Sequence, residues 1–177
     1  MKQVEHERLK FIDESGGTTT LTRRFGRAAP GERVGEAVPK NYGSSTSVVS
    51  VIGVGGVETA MVIEGAVDPL VFEAFCEQSL RPCLRAGDVL VLDNLGAHRA
   101  SRLEEIVHDC NARVIWLPPY SPDFSPIEPM WGKLKTYLRK VKARTTADLE
   151  RAVAEGLQLI TSSDCRAWFT HCGYQVA

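Results

Sequence analysis

Four consecutive apolar residues, Val89-Leu90-Val91-Leu92, constrain this chain more than any other feature. They follow a turn at Ala86-Gly87-Asp88 and stop at Asp93. A run that short with no alternation reads as a central strand buried on both faces, in a sheet on which helices pack. At 177 residues and 44% hydrophobic content the chain is long enough to build one such core, and a second independent domain is not expected.

The flanking segments supply the remaining layers. Leu9 to Ile12 is an apolar run that ends at Asp13-Glu14-Ser15-Gly16-Gly17 and reads as a short strand entering a turn, with a further strand over Thr18 to Arg24. After a Gly- and Pro-containing loop, Thr46 to Ile63 is β-branched and broken by Gly53-Val54-Gly55-Gly56, the pattern of a hairpin. Asp68-Pro69 is an N-cap and first-turn proline for a helix over Leu70 to Leu84. Leu103 to Asn111 predicts a helix and Val114 to Leu117 another buried strand, followed by the stiff loop Pro118-Pro119-Tyr120-Ser121-Pro122. A long helix from about Pro126 carries the stripe Ile127, Trp131, Leu134, Leu138 and Val141, and a last helix covers Ala147 to Ile160. The order is that of a mixed α/β fold with helices on a sheet.

Several classes are disfavoured. No apolar run is long enough to span a bilayer and the start MKQVEHERLK lacks a secretory signal, so a cytoplasmic protein without a membrane partner is expected. The five cysteines are scattered and odd in number, against a disulfide framework, and Cys165, His171 and Cys172 lack a fourth partner for zinc. The net charge of −1 is no nucleic-acid signature, yet WGKLKTYLRKVKAR holds Lys133, Lys135, Arg139, Lys140, Lys142 and Arg144 with no acid among them. That segment is either a solvated helix face or a phosphate-binding one.

Three carboxylates stand where strand ends and helix starts can converge. Asp13 and Asp93 each close an apolar run, and each is also an ordinary turn former. Glu14 would point to the opposite face. Glu128 has its own competitor, because Ser125-Pro126-Ile127-Glu128 fits a capping box in which Glu128 reaches back to the Ser125 amide. If the three do meet, their mutual repulsion calls for a hard divalent cation such as magnesium, and two such ions can promote in-line attack on a phosphodiester.

Three segments, FIDESG, VLVLDNLGAHR and LPPYSPDFSPIEPMWGKLK, resemble the catalytic blocks of the DDE transposases of the Tc/mariner superfamily, in particular its bacterial insertion-sequence branch. The 34 residues between Asp93 and Glu128 match that group's spacing, and the closing DCRAWFTHCGY is similar to the end of those proteins. The resemblance implies an RNase H-like (retroviral integrase-like) fold, a mixed five-stranded sheet flanked by helices. It carries Asp13, Asp93 and Glu128 over as catalytic and metal-binding, with two Mg2+ ions for which Mn2+ may substitute. Asn94 and His98 match the second block and are candidates for shaping the site. Ser125 stands where the family often has Asn, and Ser caps a helix as well.

The function implied is cleavage and strand transfer of DNA in cut-and-paste transposition, with integration at TA. DNA would be the partner, as transposon ends and target, bound by a homodimer on paired ends and at the nucleoid. Lys133, Lys135, Arg139, Lys140, Lys142 and Arg144 would hold the backbone beside the metals. Only 12 residues precede Asp13, too few for a helix-turn-helix module, so end recognition is expected from elsewhere, for example an upstream-frame product. Two alternatives stay open: a non-cutting fragment that regulates transposition through DNA or a partner, and another RNase H-like endonuclease such as a junction resolvase.

Overall fold

In a computed structural model, which describes residues 5–40, 45–93 and 101–176, a five-stranded sheet runs through the centre of the molecule in the order β3-β2-β1-β4-β5. The strands are β1 (Leu9–Thr18), β2 (Ser45–Gly53), β3 (Gly56–Glu64), β4 (Val89–Leu92) and β5 (Arg113–Trp116). β1, β2 and β3 form an antiparallel meander, while β1 pairs parallel to β4 and β4 parallel to β5. Of the helices, α1 (Pro69–Phe75) and α2 (Ser101–Asp109) cover one face. The other face carries α3 (Ile127–Val141), α4 (Thr146–Gln158) and α5 (Ser162–His171).

Strand alternation sorts the core between the two faces. Phe11, Val48, Ile52 and Val91 point to α3, α4 and α5, where they meet Ile127, Trp131, Leu138 and Phe169. Ile12, Val49, Val51, Leu90 and Leu92 point the other way, to Phe72, Phe75, Leu103 and Ile106. All four residues of β4 are buried, as the unbroken apolar run requires. Among the described residues no helix is long and apolar enough to cross a membrane.

Five features differ from the sequence expectation. β1 does not stop at Asp13: it pairs with β2 from Phe11↔Ile52 to Thr18↔Ser45, so cross-strand hydrogen bonds carry the backbone straight through Ser15-Gly16-Gly17. The segment after Thr18 consequently leaves the sheet, and Thr18 to Arg24 is not a second strand. The helix expected over Leu70 to Leu84 is α1 followed by a wider turn over Cys76–Leu80 and a tight one over Arg81–Cys83 that contains Pro82. In α3, Val141 is exposed and Met130 takes its place in the buried stripe. α5 was not foreseen, although a capping box announces it, with Asp164 N–H donating to Thr161 Oγ1 and Thr161 N–H to Asp164 Oδ2.

α4 approaches α3 closely because residue 156 is glycine. A β-carbon there would stand 2.5 Å from Leu134 Cδ1 and 2.9 Å from Tyr137 Cδ1. Gly156→Val should therefore destabilise the fold by about 1–3 kcal/mol through overpacking. Thermal unfolding measures this, and an unchanged midpoint would show that the two helices separate without cost.

Candidate active site

The parallel register of β1 and β4 builds the site. Phe11 lies opposite Val91, so Asp13 and Asp93, each two residues further along, leave the same face of the sheet at neighbouring positions. That face is the one covered by α3, since Asp13 also lies opposite Ser50, which alternates with Val48 and Ile52. Glu14 lies opposite Val49 and belongs to the other face.

Glu128 enters from the first turn of α3. The capping box imagined for it does not form: Pro126 occupies the cap position with no side-chain cap, and the only link is Glu128 N–H donating to the Ser125 carbonyl at 3.1 Å. Its carboxylate is therefore not engaged at its own helix start. Asp13, Asp93 and Glu128 line one cavity of about 370 Å³, together with Ser125 and the loop from Leu117 to Pro122. Tyr174 helps fix the approach to α3, its hydroxyl donating to the Phe124 carbonyl at 2.8 Å.

The cavity has a charge problem. Burial raises the Asp13 carboxyl to about 6, and the charges of Asp93 and Glu128 push the same way; hydrogen bonds from the Glu14 backbone and Trp131 oppose them. The Trp131 bond is direct, Nε1–H to Asp13 Oδ2 at 2.9 Å, from an indole only 3% exposed. Sequence patterning placed Trp131 in the apolar stripe and missed this donor, although its position one turn after Glu128 is what directs it at β1.

No lysine or arginine among the described residues lines the cavity. Among the described residues no three acidic, His or Cys side chains already stand at metal-ligand spacing. The donor set nonetheless fits a hard divalent cation, since the charged groups that the described residues offer there are all carboxylates. The Cys165, His171 and Cys172 group has no such character: both cysteines are buried and burial pushes the Cys165 thiol up to about 11. Asn94 and His98 lie outside the described residues.

The basic stretch after Glu128 divides. Lys133 is paired with Asp164 and donates to the Leu159 carbonyl. Lys142 is paired with Glu36, and Arg144 donates to the carbonyls of Thr19 and Leu21 at 2.9 and 3.1 Å. Lys135, Arg139 and Lys140 form no ion pair with any described residue.

Comparison with known proteins now decides the family. A sequence profile described as DDE superfamily endonuclease matches residues 8–150. The chain belongs to the DDE superfamily endonucleases. No curated protein matches it in sequence. The fold is that of the RNase H-like catalytic domain of Mos1 transposase. Superposed on the Mos1 paired-end complex with left transposon end, the chain gives a TM-score of 0.76 at 16% identity, over 94% of this chain and 52% of that one. On the catalytic domain of Mos1 mariner transposase the values are 0.65 and 13%, over 94% and 77%. On the Mos1 paired end complex with Mg they are 0.66 and 17%, over 93% and 51%. The chain thus spans about half the length of the Mos1 chains in the paired-end complexes.

The unfavourable charge at Asp13 predicts a stability change with a definite sign. Below its ordinary value of 3.8 the carboxyl is neutral folded or unfolded; as pH rises through about 6 the folded state must ionise it at a cost. In EDTA, Asp13→Asn should stabilise the protein at pH 7.5 by on the order of 2–3 kcal/mol, with the gain shrinking toward pH 4. Thermal midpoints across that range test this, and a pH-independent difference would count against a buried carboxylate.

Proposed function

We propose that this chain is the catalytic domain of a cut-and-paste DNA transposase, acting through Asp13, Asp93 and Glu128. The observation that carries the reading is the meeting of three carboxylates, from β1, from the residue after β4 and from the start of α3, around one cavity. The family assignment supports it, and so does the likeness of fold to Mos1 complexes assembled on transposon ends.

In this reading Asp13, Asp93 and Glu128 would hold two magnesium ions, or manganese, and the ions would supply charge to activate the attacking oxygen and to stabilise the leaving one. Trp131 donates to Asp13 Oδ2 and so restricts the rotation of that carboxylate. The loop from Leu117 to Pro122 and the buried β1 and β4 keep the strand end rigid beneath the scissile phosphate. Water attacks the phosphorus at a transposon end, a P–O bond forms, and the bond to the 3′ oxygen breaks to leave a 3′-hydroxyl. That hydroxyl then attacks a target phosphodiester, at TA dinucleotides, and its proton is lost as the target 3′ oxygen departs. Two copies acting on paired ends and recognition of those ends by a helix-turn-helix region, in this chain's full-length context or on an upstream-frame product, complete the scheme.

Plasmid nicking and strand transfer with Mg2+ or Mn2+ test it. The chain should nick only with the metal, and Asp13→Asn, Asp93→Asn and Glu128→Gln should each lower the rate by at least about a thousandfold while leaving the fold intact. Cutting that survives Asp93→Asn overturns the assignment. Hydrolysis without joining, even with end recognition supplied by fusion, would mark another RNase H-like nuclease; binding without cutting would mark a regulator.

Trp131→Phe keeps the ring and removes the N–H. It should lower nicking about tenfold and raise the manganese concentration needed for half-maximal rate, as loss of a group that orients a ligand does. Equal metal dependence in the two proteins would reduce Trp131 to packing.

A further inference from the structure

Once Lys133, Lys142 and Arg144 are assigned to internal contacts, two cations of the basic stretch, Arg139 and Lys140, meet two arginines from outside it. Arg23, Arg24, Arg139 and Lys140 line one open groove of about 750 Å³ between the segment that follows β1 and the outer side of α3, with Tyr137 among its lining residues and Phe25, 90% exposed, beside it. No ion pair joins any of the four to a described residue.

Two further facts show that the groove is held together against its own charge. Arg144 grips the carbonyls of Thr19 and Leu21, and Lys142 pairs with Glu36, so both ends of the 19–36 segment are strapped to the C-terminal end of α3. Arg24 is thereby kept close enough to Arg139 that burial and the Arg24 charge together pull the Arg139 guanidinium below its usual range. Like charges fastened side by side without a counter-charge mark a place completed by an anion, and a line of four of them fits a polyanion.

Position relates the groove to the carboxylate cavity. Arg139 follows Glu128 by eleven residues, close to three helical turns, so both lie on the same side of α3 about 16 Å apart. That distance is about five base-pair rises of B-form DNA.

We propose that this groove binds the phosphodiester backbone of the DNA being cut, about five base pairs from the scissile phosphate, through Arg23, Arg24, Arg139 and Lys140. The inference rests on the reading of the chain as a DNA-cutting enzyme and adds to it two arginines from outside the basic helix. It also removes Lys133, Lys142 and Arg144 from the direct phosphate contacts, leaving them as the parts that hold the groove in shape.

Fluorescence anisotropy of a labelled DNA duplex, titrated in EDTA at several salt concentrations, tests it beside the nicking assay. Arg24→Ala/Arg139→Ala should bind at least tenfold more weakly at low salt, and its slope of log affinity against log salt should flatten by about two. Its thermal midpoint without DNA should hold or rise, because a repulsive pair has been removed; a merely structural role predicts a fall. Arg113→Ala, an exposed cation on the edge strand β5, serves as the control and should bind as wild type does. An unchanged salt slope in the double variant overturns the groove while leaving the nuclease reading intact, provided wild type still nicks and Asp93→Asn does not. Wild type that neither binds nor nicks DNA overturns both. Retained DNA binding with lost binding of polyglutamate would give the groove to an acidic protein partner and overturn the proposal.

Discussion

The parallel pairing of β1 with β4 is the constraint on which the site depends. It places Asp13 and Asp93 at the same height on adjacent strands, and because side chains alternate along a strand it also puts both on the face covered by α3. A shift of one residue would turn Asp13 toward α1 and α2 and swing the Ile12 side chain to the face covered by α3. The apolar residues prevent that slip: Phe11 packs edge-on against Phe169 at 5.3 Å and Tyr174 at 5.2 Å, while Ile12 is buried in the opposite layer. The register of the carboxylates is thus enforced by hydrophobic side chains on either side of them.

The same packing sets the electrostatic cost. Burying the middle of β1 under α3 withdraws water from Asp13, and among the described residues no cation lines the cavity to offset the loss. Trp131 supplies one hydrogen bond, enough to orient the carboxylate but not to neutralise it. Elsewhere the protein does compensate buried charge: Lys10, on the opposite face of β1, lies between Glu58 at 3.1 Å and Asp88 at 3.7 Å, and Asp88 accepts from the Arg85 amide. The contrast within one strand separates a charge whose burial is matched by opposite charge from a carboxyl that burial pushes up to about 6.

Much of this was legible in the residues because the patterns were local. The apolar run of β4, the hairpin glycines between β2 and β3, the Asp68 cap and the stripe of α3 each depend on nearest neighbours in sequence, and the Asp68 side chain does accept from the Val71 amide at 2.8 Å. What was illegible depended on partners far away. Ser15-Gly16-Gly17 looks like a turn until β2 is present to pair with it, and Ser125 to Glu128 looks like a capping box although its backbone supports a start without one. Three carboxylates could be nominated from spacing, but that Asp13 is the most desolvated and is held by Trp131 follows only from the packing of α3 on β1.

The basic stretch shows the limit most clearly. Six cations on one helix and its exit read as a single surface, yet a helix turns its residues through every direction, and what each meets is decided by elements remote in sequence. Lys133 meets the cap of α5 and Arg144 the carbonyls left unpaired where β1 leaves the sheet. Those carbonyls need a donor because the chain departs from β2 there, so Arg144 is bound to the architecture before any ligand arrives. Lys135 and Arg139 keep the direction of Glu128 because seven and eleven residues are close to whole numbers of turns. Charge counted along a sequence therefore overstates what a helix can offer to any one surface, because each cation's direction, and not its presence, decides what it meets.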